Sequence, residues 1–230
     1  MDHRRHRLDL RLFSRQDLVE RHPFLYLHHS RREGYQRVDE TATSAQSRKS
    51  VSIKRVILFG PECTGKTTLA EELAAHYEEP WTCEYARIYV NQVKRPLESC
   101  DALEIAKGQI EIEDASLSQA RRLIIHDTNL LSTILYTRFF YSRELTPWME
   151  AAFDKRQYDL YLLTSEEGIT WEADGGQRDG PETRSQLQPL FHQMLIDRRL
   201  PHVALRGSRD QRLETAKRAI DRLISVQQKT

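Results

Sequence analysis

The chain has little of what marks membrane or disulfide-built proteins. No stretch approaches the roughly 18 consecutive apolar residues of a spanning helix. Only 39% of the 230 residues are hydrophobic, against 30% charged, which excludes an integral membrane protein. The three cysteines, Cys63, Cys83 and Cys100, cannot all pair with one another. None stands in a CxxC or Cys/His spacing, so neither a disulfide framework nor a zinc site is expected. A reduced, cytoplasmic protein is the expectation. An excess of one charge is also missing. The 35 basic and 34 acidic side chains leave a net charge of +1, so nothing draws the whole molecule to nucleic acid or to an anionic membrane. An Asn-Lys-x-Asp stretch, with which GTPases read guanine, does not occur, and there is no internal repeat.

What is present is unevenly distributed. Residues 1–50 hold 11 of the 35 Lys and Arg, 7 of the 34 Asp and Glu, and five of the 9 histidines. The body is therefore mildly acidic and the leader basic. Apolar residues of the leader show no sustained helical period, and Thr41–Ser50 has the composition of a linker. No long apolar segment marks a secretory signal, and Asp2, Asp9, Asp17 and Glu20 argue against a mitochondrial presequence. Residues 1–50 are expected to be a disordered or loosely docked extension, with a basic arm for a partner as the alternative. Residues 51–228 are expected to form one domain.

From Lys54 onward, short apolar runs alternate with helical spacing. Arg55–Phe59, Trp81–Cys83, Leu123–His126, Leu160–Leu163 and His202–Leu205 are predicted strands. Leu69, Ala70, Leu73 and Ala74 recur as on a helix. Asp101 and Glu104 form a predicted capping box for a helix reaching Gln119. Thr146-Pro147 and Gly180-Pro181 open two more helices, the second carrying Leu187, Leu190, Phe191, Met194 and Leu195. Ser208 and Gln211 cap the last, with Leu213, Ala216, Ile220 and Leu223 along one face. This alternation predicts an α/β fold, a five-stranded parallel sheet covered by helices on both faces.

Gly60-Pro61-Glu62-Cys63-Thr64-Gly65-Lys66-Thr67-Thr68 contains G-x-x-x-x-G-K-[ST], and it follows a predicted strand and opens a helix. In that setting backbone N–H groups and the helix N-terminus converge on a phosphate chain. Glycine lets the backbone approach the phosphate oxygens. Lys66 would reach the β- and γ-phosphates, and Thr67 would place its hydroxyl on Mg²⁺. The acid closing Leu123–Asp127 is the candidate for the metal or its water shell, or a cap for the next helix. Cys63 is read as a packing residue in the loop.

Such a loop serves switches, motors and kinases alike. A ring-forming AAA machine, with its larger ATPase module and second small domain, is not expected in this length. A small-molecule kinase needs a base, an acceptor cleft and an arginine-bearing lid. Glu84, after the second strand, is the candidate base, or else a surface acid paired with Arg87. Trp171–Arg184 contains Gly175, Gly176 and Gly180 and suits a mobile lid, with Arg178 and Arg184 as counter-charges to the transferring phosphoryl. Gly207–Asp210 is the candidate adenine-side loop. The other function class left open is a nucleotide-binding regulatory module with no acceptor.

With these pieces in order, residues from about Ser52 to Ile224 resemble the NadR-type ribosylnicotinamide kinase domain. The resemblance rests on Gly60–Ala70, Glu84-Tyr85-Ala86-Arg87 with Tyr89, Gly108-Gln109, Asp127-Thr128-Asn129, Tyr158–Leu163, and Trp171 with Asp174-Gly175, Arg178 and Arg184. It implies a P-loop fold of the nucleoside and nucleotide kinase type. It also implies ATP and Mg²⁺ as cofactors, and phosphorylation of nicotinamide riboside to nicotinamide mononucleotide. Another nucleoside is the alternative acceptor. A small-molecule nucleoside is the expected partner, with no specific nucleic acid and no membrane, and a homo-oligomer stays open. NadR proteins also carry a nucleotidyltransferase domain with a His-x-Gly-His motif. His28-His29 lacks the glycine, so the mononucleotide but not NAD is the expected product. For the acceptor, Tyr85 and Tyr89 are candidate aromatic faces for a pyridinium, with packing as the alternative. Gln109 is the candidate reader of a carboxamide, or a partner of backbone groups. Arg87, Asp127 and Trp171 complete the expected binding set.

Overall fold

The computed structural model describes residues 52–172 and 180–227, with backbone alone at Val226 and Gln227. Five parallel strands, β1 (Lys54–Phe59), β2 (Trp81–Thr82), β3 (Leu123–Asp127), β4 (Leu160–Thr164) and β5 (His202–Leu205), lie in the order β2-β3-β1-β4-β5. Helices α1 (Lys66–Tyr77), α2 (Tyr85–Val93), α3 (Ala102–Leu117), α4 (Leu130–Phe140), α5 (Pro147–Phe153), α6 (Pro181–Asp197) and α7 (Arg209–Gln227) connect them and close the chain.

The period-2 rule of a strand divides the core in two. Ile57 and Phe59 of β1, with Tyr161 and Leu163 of β4, point to the face covered by α3, α4, α5 and α6. Val56 and Leu58, with Leu160 and Leu162, point to the face covered by α1 and α7. These strands are apolar at successive positions because both faces are buried, as a parallel sheet requires. Phe59 meets Tyr161 and Phe191 edge-on, with centroids 5.4 and 4.7 Å apart. On α6, Leu187, Phe191 and Leu195 are buried one turn apart, whereas Leu190 lies outside that stripe and is exposed.

Several local expectations shift. Strand β2 is two residues long and leaves Cys83 outside, and β3 extends one residue to Asp127. The capping box lies one turn earlier than Asp101/Glu104. It joins Glu98 and Asp101 across the 3-10 turn Ser99–Asp101, and α3 ends at Leu117. Asp101 is drawn there because Arg95 binds both its oxygens, at 2.7 and 2.8 Å, and Tyr89 donates at 2.8 Å. Arg95 holds the buried Asp101 carboxyl at about 2, below the usual range. Thr146 does precede Pro147, but its hydroxyl donates to the Arg143 carbonyl and caps no helix N–H. Ser208 and Gln211 form their reciprocal cap, at 2.9 and 3.3 Å.

The strand order reverses about β1, with β3 on one side and β4 on the other. In open α/β sheets ligands bind at the carboxyl ends of strands flanking such a point. The P-loop, Asp127 and Thr164 all stand there. Leu58 pairs with Asp127 in the sheet register, one step before the loop begins.

Candidate active site

The loop between β1 and α1 is shaped by its backbone. Gly60 has φ 150°, and a Cβ there would lie 2.3 Å from Thr164 Oγ1 and 3.0 Å from the Thr164 carbonyl oxygen. Only glycine lets the loop leave β1 so close to the end of β4. Gly65, at φ 80°, turns the chain into α1. Thr64 is buried. Its hydroxyl donates to the Pro61 carbonyl at 2.8 Å and is 2.7 Å from the Thr164 hydroxyl. Lys66 is buried, with Nζ donating to Pro61 O at 2.7 Å, so its ammonium is folded over the loop. Thr68, next along the helix, is exposed.

Two acids converge on this loop. Asp127 is 1% exposed, and Thr67 Oγ1 donates to its Oδ2 at 2.5 Å. Burial raises the Asp127 carboxyl to about 6; Lys66 pulls it down and Glu84 pushes it up. Strand β2 runs beside β3 with Thr82 paired to His126, so Glu84 leaves the sheet next to Asp127. Asp127 Oδ1 is buried with no hydrogen-bond partner among the described residues. A hydroxyl and an open carboxylate oxygen are the oxygen donors Mg²⁺ takes, so Thr67 and Asp127 fit the metal expected beside a P-loop. Asp127 does not cap the next helix. Asn129 does, accepting from the Leu131 N–H at 3.2 Å while its amide donates to Tyr161 at 2.9 Å. Glu84 precedes the first turn of α2, and its carboxylate accepts from Arg87 Nε at 3.1 Å.

The expected acceptor residues separate. Tyr85 and Tyr89 share a face of α2 with centroids 6.5 Å apart. Tyr89 is tied to Asp101, however, and the Tyr85 ring lies against Gly108, where a Cβ would meet it at 2.1 Å. Gln109 departs from the carboxamide-reading expectation. It is 2% exposed; its oxygen accepts from the Tyr85 N–H at 3.0 Å and its nitrogen donates to Glu113 at 3.3 Å. Both ends of the amide are taken by the protein, because the α2 N-terminus needs an acceptor where no side-chain cap serves it. Gly108-Gln109 is thus a seat for α2. Beneath it, Glu113 also accepts from Tyr158 at 2.7 Å, and burial raises its carboxyl to about 7.

The lid arginines are likewise unequal. Arg178 lies outside the described residues. Arg184 is buried on the first turn of α6, pairs with Glu166 at 3.1 Å, and donates to the carbonyls of Cys63 and Ile169 at 3.1 and 3.3 Å. Its guanidinium lies 5.3 Å from the ring centroid of Trp171. In this arrangement Arg184 braces the P-loop against the segment that follows β4, and Trp171 stacks on Arg184. Cys63 joins the same brace, its thiol accepting from the Glu172 N–H at 3.4 Å.

Three further residues shape the site without a sequence signal. Thr164 closes β4 against the P-loop. Tyr136 on α4 donates to the Glu62 carboxylate at 2.5 Å. Arg212, 3% exposed, donates to the carbonyls of Gly207 and Ser165, both at 2.8 Å, and of Glu167. It joins the loops after β4 and β5. These side chains meet the site only through contacts remote in sequence, which no local motif encodes.

A phosphate-binding loop between β1 and α1, an acid on the neighbouring strand, and the order β2-β3-β1-β4-β5 define a P-loop protein of nucleotide-kinase architecture. A family model described as an AAA domain matches residues 55–212, and the chain belongs to that family. The matched span carries the P-loop, Glu84 and Asp127. The chain is 28% identical over 160 residues to the trifunctional NAD biosynthesis/regulator protein NadR of Escherichia coli K12, covering 67% of this chain and 38% of that protein. A crystal structure of NadR in complex with NR superposes with a TM-score of 0.67 at 24% identity, covering 75% of this chain and 52% of that one. A NadR structure with NAD and AMP-PNP gives 0.65 at 22% identity, covering 75% and 50%. The chain thus spans about two fifths of the curated relative and half of each solved chain.

Proposed function

We propose that residues 51–228 form an ATP-dependent kinase that phosphorylates a hydroxyl of a nucleoside, with nicotinamide riboside as acceptor and nicotinamide mononucleotide as product. The observation that carries this reading is the Thr67–Asp127 pair at the P-loop beside Lys66, with Glu84 leaving the neighbouring strand end, where Thr82 pairs with His126. A nucleotide switch needs the first three but has no use for a second acid at the neighbouring strand end. The likeness to NadR, a protein solved with NR and with an ATP analogue, supports the choice of acceptor and donor.

In this reading the loop N–H groups and the α1 N-terminus bind the phosphate chain. Lys66 leaves Pro61 O for the phosphates and offsets charge as the γ-phosphoryl moves. Thr67 Oγ1 and Asp127 Oδ1 hold Mg²⁺, which supplies charge neutralisation to the β- and γ-phosphates when bound. Glu84 accepts the proton of the attacking hydroxyl, and Arg87 steadies the carboxylate before the acceptor arrives. Arg184 keeps the loop and the lid base in register. The test is to incubate the protein with Mg·ATP and a panel of nucleosides and to detect monophosphates by mass. Nicotinamide mononucleotide formed in preference to other monophosphates is the expected result. ATP hydrolysis at one rate with or without nucleoside would favour a regulatory module.

A further inference from the structure

Glu62 is an acid in the loop expected to bind phosphate, which asks for an explanation. A carboxylate facing the phosphate chain would oppose binding. The structure turns it elsewhere. Tyr136 Oη donates to Glu62 Oε2 at 2.5 Å, and the Glu62 N–H donates back to Tyr136 Oη at 3.2 Å. Both the backbone and the side chain of Glu62 are thus committed to α4, away from the phosphate side of the loop. Tyr136 itself is fixed by packing, 5.7 Å from Phe191 and stacked on Phe140 at 6.1 Å. Its helix α4 begins three residues after Asp127 closes β3, so the pair stands at the carboxyl end of the sheet with the P-loop. The second oxygen, Glu62 Oε1, is buried with no hydrogen-bond partner among the described residues. Buried carboxylate oxygens are ordinarily satisfied, and an exception in a ligand cleft marks a place for a donor.

We propose that Glu62, held by Tyr136, is a specificity-determining residue for the acceptor. Its free oxygen accepts a hydrogen bond from an acceptor hydroxyl, and its charge, added to that of Glu84, selects an uncharged or cationic nucleoside over a nucleoside monophosphate. This rests on the kinase reading above and adds a residue that selects the acceptor. Like charges facing an anionic acceptor are a repulsive device, which discriminates more strongly than attraction alone.

The test is calorimetric titration of the protein loaded with Mg·AMP-PNP. The titrants are nicotinamide riboside, adenosine and thymidine, and the 5′-monophosphate of each. The variants are Glu62→Gln, which keeps the shape, and Tyr136→Phe, which releases the tether. Wild type is expected to bind a nucleoside and reject its monophosphate. Glu62→Gln should weaken nucleoside binding by about 10- to 100-fold and narrow the discrimination against the monophosphate. Tyr136→Phe should do the same to a smaller degree. Affinity for AMP-PNP should change by less than about threefold in both, because the loop N–H groups and Lys66 hold the phosphates. Nucleoside binding and discrimination that Glu62→Gln leaves at wild-type levels would overturn this inference while the kinase reading stands. Wild type that binds no nucleoside would overturn both.

Discussion

Thr67 Oγ1 and Asp127 Oδ2 lie 2.5 Å apart across 60 residues of chain, joining the first turn of α1 to the end of β3. The pair leaves one carboxylate oxygen open beside the phosphate loop. If Mg²⁺ takes that oxygen, Asp127→Asn and Thr67→Val should each raise the Mg²⁺ concentration needed for half-maximal turnover. Residues acting on one ion are not independent, so the double variant should depart from additivity by about 0.5–3 kcal/mol. A Mg²⁺ titration of the four proteins measures this. Additive losses would separate the two residues.

Lys66 is buried, and among the described residues its ammonium donates to a carbonyl of its own loop, Pro61 O. Lys66→Ala should therefore leave the melting temperature within a few degrees of wild type. Phosphoryl transfer should fall by about 100-fold or more, the scale of losing one group aimed at developing charge. Transfer at the wild-type rate would remove Lys66 from the site.

Gln109 has both amide ends bonded inside the protein, to the Tyr85 N–H and to Glu113. Gln109→Leu would strand the Tyr85 N–H and one oxygen of Glu113 in the interior. A stability loss of about 1–3 kcal/mol is expected in chemical denaturation. Because α2 also carries Arg87 and begins beside Glu84, kcat should fall while the Michaelis constants for ATP and acceptor move together. A rise confined to the acceptor constant would return Gln109 to direct recognition of the acceptor.

Glu113 gives a pH signature. Its buried carboxyl is raised from 4.5 to about 7 by burial. Below the ordinary value it is protonated in folded and unfolded chains alike. As pH rises from about 4.5 to about 7 the unfolded chain releases the proton and the folded chain keeps it. Stability contributed by this group should therefore decline across that window. Glu113→Gln, neutral and of the same shape, should flatten the slope of unfolding free energy against pH between those limits. An unchanged slope would place the proton elsewhere.

Arg184 marks most plainly where local sequence stops deciding a side chain's partners. Arg184 was legible as a cation near a P-loop, but its partners are Glu166, Cys63 and Ile169, and the last two are carbonyls. Carbonyls carry no side-chain signature, so a brace and a catalytic arginine look the same in one dimension. Gln109 misleads in the same way, since an amide suited to a carboxamide is equally suited to a helix N-terminus.

The sequence alone determined the elements whose causes are local. The two-sided apolar runs of β1, β3 and β4 could only be buried parallel strands. Gly60, Gly65, Lys66 and Thr67 announced the phosphate loop, because backbone conformation and charge at fixed spacing are written residue by residue. Gln211 reaching back to Ser208 was equally visible. Tertiary structure alone decided what meets across the cleft: Asp127 on Thr67, Tyr136 on Glu62, Thr164 against Gly60, and Arg212 between two loops. It also placed the capping box at Glu98 and Asp101, because Arg95 and Tyr89 together hold Asp101. Those outcomes depend on the order in which strands are laid beside one another. That order is set by global packing, and neighbouring residues do not encode it.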